Sequence, residues 1–136
     1  RVSFTGKGIL GPKHWLRTTP SGDQIIFLSK DQNNHTNAFG ISPNGGSIHQ
    51  LTFHDFDIQT GPAISPDGKL LAYVADNCIY ISAIDQKKVD MISRKFSGHE
   101  VPINAIHWSP DGKRLAYNSQ VTNGENSFLQ IFLIDL

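Results

Sequence analysis

The chain has 136 residues, 38% of them hydrophobic and 18% charged, which is ordinary for one globular domain or part of one and excludes a disordered or fibrous protein. Twelve basic and twelve acidic side chains are scattered along it and cancel to zero formal net charge, so it carries no electrostatic footprint for nucleic acid or an anionic membrane. No apolar run approaches the roughly 20 residues of a membrane helix, and no segment resembles a signal peptide. The first residue is Arg1, which leaves a processed leader or a longer parent chain open.

In chain order, Val2-Ser3-Phe4-Thr5 resembles Leu51-Thr52-Phe53, and both read as the last strand of a unit. A Gly-rich link over 6–11 leads to a first strand at 14–18, a second at 24–29, a polar loop at 30–34 and a third at 37–42. Pro43-Asn44-Gly45-Gly46 is a turn signal before a fourth strand at 48–53. The cycle restarts with strands expected at 58–64, 69–75, 78–84 and 89–94, and then at 103–108, 114–119 and 128–136. Asp76-Asn77 supplies a two-residue hairpin signal, and Asn123-Gly124 marks a second hairpin loop. Cys78, the only cysteine, excludes a disulfide framework and a Cys-based zinc site. Its apolar strand makes it a small buried hydrophobe.

The cycles share one motif. Ser65-Pro66-Asp67-Gly68-Lys69-Leu70-Leu71-Ala72-Tyr73 returns at 109–117 with one change, Arg114 for leucine, and in blurred form at 19–27. Pro20, Pro66 and Pro110 lie 46 and 44 residues apart, a period that signals stacked supersecondary units. Proline presets φ, aspartate bonds nearby backbone and glycine supplies a positive-φ corner, so Ser-Pro-Asp-Gly reads as a tight turn into a strand. Four-stranded antiparallel units of about 45 residues are the mark of propeller blades, whose strands must be apolar on both faces. Ile25-Ile26-Phe27-Leu28 and Ile131-Phe132-Leu133-Ile134 meet that demand. The expected fold is all-β: a β-propeller segment of about three four-stranded antiparallel blades, near 14–53, 58–94 and 103–136, within a larger propeller. Residues 2–5 are then the outer strand of a preceding blade. A blade face of roughly 330 Å² would leave about 8 kcal/mol of apolar burial unmade at each bare end, a large part of the roughly 5 to 15 kcal/mol stability of a domain. The remaining blades of a parent chain are the expected cover, and a second copy is the alternative.

Ser-Pro-Asp-Gly-Lys followed by Leu-Ala-Tyr, then Ile79-Tyr80-Ile81 or Ile131-Phe132-Leu133 strands ending in Ile-Asp, resembles the WD-like repeat of TolB-type propeller proteins over nearly the whole chain. Gly98-His99 is similar to the Gly-His start of a WD repeat, while Ile134-Asp135 stands where that repeat has Trp-Asp. Pro12-Lys13-His14-Trp15-Leu16-Arg17, Ile41-Ser42-Pro43-Asn44-Gly45-Gly46 and Gln50-Leu51-Thr52 resemble the carboxy-terminal part of YidR-type bacterial propeller proteins, a family of unknown function. That resemblance implies a bacterial source and carries no known site; cytoplasm and periplasm both stay open.

Histidines are the candidates for chemistry. His54-Asp55 and His99-Glu100 occupy equivalent links between units, 45 residues apart, and such links gather on one rim of a propeller, with His14 close to the first of them. Those five residues form the candidate ligand set, and the plainer reading is that they brace loop backbone. His107, alternating with Ile106 and Trp108, is expected between blades, and His35 and His49 in solvent. Ser65 and Ser109 lack a nucleophile-elbow context, and Gly6, Gly8 and Gly11 open no helix. Trp15 and Trp108 read as packing residues, with stacking on a sugar the alternative. The expectation is a non-catalytic binding module for a protein or small ligand, with no cofactor. The alternative implied by the resemblance is part of a propeller enzyme. That would be a metal-assisted polysaccharide lyase like oligogalacturonate lyase, using rim histidines on a divalent metal, or the propeller of a serine peptidase.

Overall fold

The computed structural model of the protein describes residues 16–85, 89–93, 95–96, 101–102 and 105–136. Three antiparallel sheets follow one another along the chain. The first joins β1 (Arg17–Thr18), β2 (Ile25–Lys30), β3 (Thr36–Ile41) and β4 (His49–Gln50) in that order. The second joins β5 (Ala63–Ile64), β6 (Leu70–Ala75), β7 (Cys78–Ala83) and β8 (Val89–Met91). The third has three strands, β9 (Ile106–Trp108), β10 (Arg114–Asn123) and β11 (Asn126–Asp135), with β10 in the middle. The described residues contain no helix. The architecture is the all-β stack of propeller blades that the repeat specifies. Residues 2–5, the link 97–100 and the candidates His14, His99 and Glu100 lie outside the described residues.

The repeated turn closes through its serine. Ser65 Oγ accepts the Leu70 N–H at 2.9 Å and donates to Asp67 Oδ1 at 2.5 Å, while that carboxylate accepts the Lys69 N–H at 3.1 Å. Ser109, Asp111, Lys113 and Arg114 repeat the same three bonds at 2.9, 2.5 and 3.1 Å in the same order. Thr19 fills the serine position in the first copy and bonds Asp23. Gly68 and Gly112 sit at φ +75 and +71, the corner that favours glycine. The Asp76-Asn77 turn has φ 43 and 58, the two left-handed residues of a type I′ hairpin, whose twist suits the flanking strands.

The second sheet buries both faces by strand alternation. Ile26 and Leu28 of the first sheet meet Leu71, Tyr73 and Ala75 of the second, while Ala72, Val74 and Ile79 point the other way, onto Ile106 and Leu115 of the third. Every sheet carries a cross-strand aromatic pair: Phe27–Phe39, Tyr73–Tyr80 and Tyr117–Phe132, with ring centroids 6.1, 6.1 and 5.4 Å apart. Turns nest as well, for a Cβ on Gly68 would lie 3.2 Å from Pro20 Cδ, and one on Gly112 would lie 3.9 Å from Pro66 Cδ. Cys78 is buried.

The outer strands are shorter than the sequence suggests, because side-chain hydroxyls take over ladder bonds. Thr52 Oγ1 accepts the Ala38 N–H, and Ser93 Oγ accepts the Ile79 N–H, each at 2.8 Å, just beyond β4 and β8. The strand expected at 58–64 reduces to β5 and one bridge between Ile58 and Ala75. Thr60 Oγ1 there accepts the Val74 N–H, and Pro62 has no N–H to give. In contrast β10 and β11 run for ten residues each, four pairs beyond Ser119↔Gln130, the match of the Ala75↔Cys78 pair that ends the second hairpin.

Truncating Leu71 or Leu115 to alanine, both 0% exposed, should each cost about 2–5 kcal/mol in urea unfolding. Leu133→Ala on the open face should stay within about 0.5 kcal/mol.

Candidate functional site

The link between the first and second sheets, residues 51–62, is clamped from below by Asn37. Its Oδ1 accepts Thr52 Oγ1 at 2.8 Å and the His54 N–H at 3.0 Å, and its Nδ2 donates to the His54 carbonyl and to Asp31 Oδ2, each at 3.0 Å. All four hydrogen-bonding positions of this fully buried amide are thus filled. Asp31 also accepts the Asn33 and His35 N–H groups, both at 2.9 Å. Asp57 ties down the far end: it accepts the Thr36 N–H at 2.6 Å and Lys30 Nζ at 2.9 Å, and these bonds hold its pKa at about 2.

His54 stands half-buried on this platform. Its ring stacks on Phe56 at 4.6 Å, meets Tyr73 edge-on at 5.6 Å and lies tilted against Tyr80 at 5.1 Å. Nε2 lies 2.8 Å from the Tyr73 hydroxyl. Burial pushes the Tyr73 phenol up to about 12, so it keeps its proton. Burial also pushes the His54 pKa below its ordinary value, with Asp55 pulling weakly the other way. Asp55 itself is exposed on the link. His35 is half-buried; His49 is exposed and 3.3 Å from the Gln24 amide.

A concave site lies elsewhere, where the innermost strands of all three sheets converge. A cavity of about 450 Å³ is lined by 17–20, 63–66 and 106–108. Pairing with Ile26, Ala72 and Ala116 makes Arg17, Ala63 and His107 equivalent positions on its wall. Trp108 Nε1 donates to the Ala63 carbonyl at 3.1 Å, and Arg17 to the Leu16 carbonyl at 3.0 Å. His107 was expected between blades. It does occupy the face position that is buried at Ala63, but no described sheet covers it there, and it is exposed. Antiparallel order puts this cavity beside the Ser-Pro-Asp-Gly turns, at the opposite end of the sheets from the His54 link. Arg17 gave no signal as a site residue in the sequence. The equivalence of positions 17, 63 and 107 would have found it, had those first strands been aligned by their distance from each turn.

Antiparallel sheets of four, four and three strands stacked face to face, with their inner strands around one cavity, define a β-propeller segment. The WD domain, G-beta repeat family matches residues 91–119. Over 106 residues the chain is 36% identical to Uncharacterized protein YidR of Escherichia coli (strain K12), covering 78% of this chain and 25% of YidR. It therefore spans about a quarter of the length of that relative. A TolB-type structure from Agrobacterium tumefaciens matches 94% of this chain with 47% of its own, at a TM-score of 0.70 and 17% identity. TolB from Acinetobacter baumannii matches 93% with 30% of its own, at a TM-score of 0.67 and 25% identity. The chain is a TolB-like propeller segment that resembles YidR, and its relatives are bacterial.

His54 makes stability pH-dependent. Its folded pKa is depressed, so its contribution is fully present above the unfolded value of about 6.5 and is lost as pH falls from there through the folded value. Thermal melts between pH 7.5 and 5 should show a falling midpoint that flattens in His54→Gln. Asp57 stays ionised over that range; its contribution is present above 3.8 and is lost as pH falls through about 2. A His54→Gln melt as pH-sensitive as the parent would assign the effect to another group.

Proposed function

We propose that the chain is a non-catalytic binding module, acting within a larger propeller ring that further sheets complete, whether blades of a parent chain or a second copy. Convergence of the three innermost strands on the axial cavity, with Arg17, His107 and Trp108 on its wall, is the observation that supports this reading. A guanidinium offers a planar fork for carboxylates, and an indole offers a flat apolar surface, so a small ligand or peptide end combining an aromatic body with a carboxylate suits the cavity. Trp108 binds the Ala63 carbonyl by its N–H, which leaves the indole held in place as a platform.

The chain has two tryptophans, so Trp15→Phe leaves Trp108 as the sole indole reporter. Titrating that variant with a panel of aromatic carboxylates should give saturable quenching with at least one of them. The same compound should lose tenfold or more in affinity on Arg17→Ala, with an unchanged circular dichroism spectrum. No response across the panel, or binding indifferent to Arg17, would contradict the reading.

A further inference from the structure

The first joint holds a second cleft, beside β4 at the outer edge of the sheets. It measures about 240 Å³ and is bounded by Gln24, His49, Leu51, Phe53, Ile84 and Asp85, none of which lines the axial cavity. It exists because the first sheet departs from the repeat. Ile26 pairs with Gly40 as Ala72 pairs with Ile81 and Ala116 with Leu133, so a glycine stands where the other two sheets carry a branched aliphatic side chain. At the second joint that side chain, Ile81, packs against the core. Gly40 does not serve its backbone: its φ is not positive, and its ladder runs unbroken to Ile26 on one side and His49 on the other. Glycine inside a regular strand marks a close approach. Here a Cβ would stand 3.1 Å from His49 Nε2, 3.3 Å from Gln24 Oε1 and 3.4 Å from Leu51 Cδ1, so the missing side chain lets an amide, an imidazole and a leucine converge on the floor of the cleft. Gln24 Nε2 lies 3.3 Å from His49 Nε2, whereas Gln24 Oε1 is buried and meets no donor among the described residues.

A buried acceptor left without a donor costs stability, and such an atom in a native structure calls for a partner. Asp85 adds a carboxylate at the exposed rim, and Leu51, Phe53 and Ile84 supply apolar walls. We propose that this cleft binds a small primary ammonium with an apolar body. Its N–H groups donate to Gln24 Oε1, its charge is met by Asp85, and its body lies against Phe53, which is 52% exposed and offers a ring face that attracts cations. The volume falls below the roughly 300–1,000 Å³ of pockets for drug-sized ligands, which restricts the occupant to a compact amine. The inference goes beyond the axial reading and stands without it.

Phenethylammonium titrated into the isotope-labelled 136-residue chain and followed by two-dimensional NMR tests this, with phenylacetate as the probe of opposite charge. The expected result is saturable movement of the Gly40 and His49 backbone amides and of the Gln24 side-chain amide, none of which phenylacetate moves. Asp85→Asn, a change at an exposed position, should weaken the binding tenfold or more. Gln24→Leu installs the residue that the second sheet has at the matching distance from its turn, Leu70; it should abolish binding while raising the thermal midpoint, because the orphan acceptor is gone. If Gln24→Leu loses its fold, Asp85→Asn decides. An absence of movement at millimolar amine would overturn the proposal, as would an equal response to phenylacetate or binding unchanged in Asp85→Asn. Movement confined to Arg17, Ala63 and His107 would overturn it too, by placing the amine in the axial cavity.

Discussion

Everything in this structure depends on strands that are apolar on both faces. A sheet with one wet face is satisfied by one neighbour, whereas each of these sheets needs two, so the unit of stability is the joint rather than the sheet. The second sheet has both joints. Leu71 and Tyr73 face one way, Ala72 and Val74 the other, and all four are 0% exposed. The aromatic pair fixes the spacing: two stacked rings per sheet stand on the face toward the previous blade, and smaller aliphatic side chains on the opposite face receive them. Large against small at each joint is what lets consecutive sheets interdigitate at the density of a protein interior.

The polar groups serve that stack. A propeller must lead the chain from the outer strand of one sheet to the inner strand of the next without stranding backbone N–H and C=O groups in the joint. Asn37 resolves this at the first joint by bonding both backbone groups of His54, and Asp57 does so by taking the Thr36 N–H. His54 is thereby delivered onto Tyr73 and becomes part of the packing it crosses. At the opposite end the Ser-Pro-Asp-Gly turns close on their own hydroxyls and need no help from neighbours, which leaves the inner strands free to line the axis. The two ends are thus chemically different: one is bonded tightly across the joint, and the other is concave, with Arg17 and His107 on its wall.

The repeat made the fold legible. Proline, aspartate and glycine act within five residues, so their meaning survives without knowledge of the neighbours, and the three copies of the turn set the blades and their order. Strand ends were less legible, because Thr52, Thr60 and Ser93 replace ladder bonds with hydroxyl bonds to residues 14 positions away, a choice made by tertiary contact. The length of the β10–β11 hairpin was hidden for a similar reason: residues 120–127, polar but for Val121 and Gly124, give no periodic apolar signal, and pairing alone carries the ladder on. For the site, His54 was readable as a special position. Its partner Tyr73, which lies within the repeated motif, was read only as part of a strand. The axial cavity was not legible at all, since it is assembled from positions about 45 residues apart whose common direction appears only once the sheets are stacked.

Hydrogen–deuterium exchange resolved to single strands tests the dependence on two-sided joints most directly. The account predicts the slowest exchange in β6 and β7, whose sheet is covered on both faces, and exchange faster by orders of magnitude in β11, whose Leu129, Ile131 and Leu133 are exposed, despite its ten-residue ladder with β10. Equal protection of β11 and β7 in a chain shown to be monomeric would mean that a sheet of this kind stands without its second neighbour, and would contradict the account.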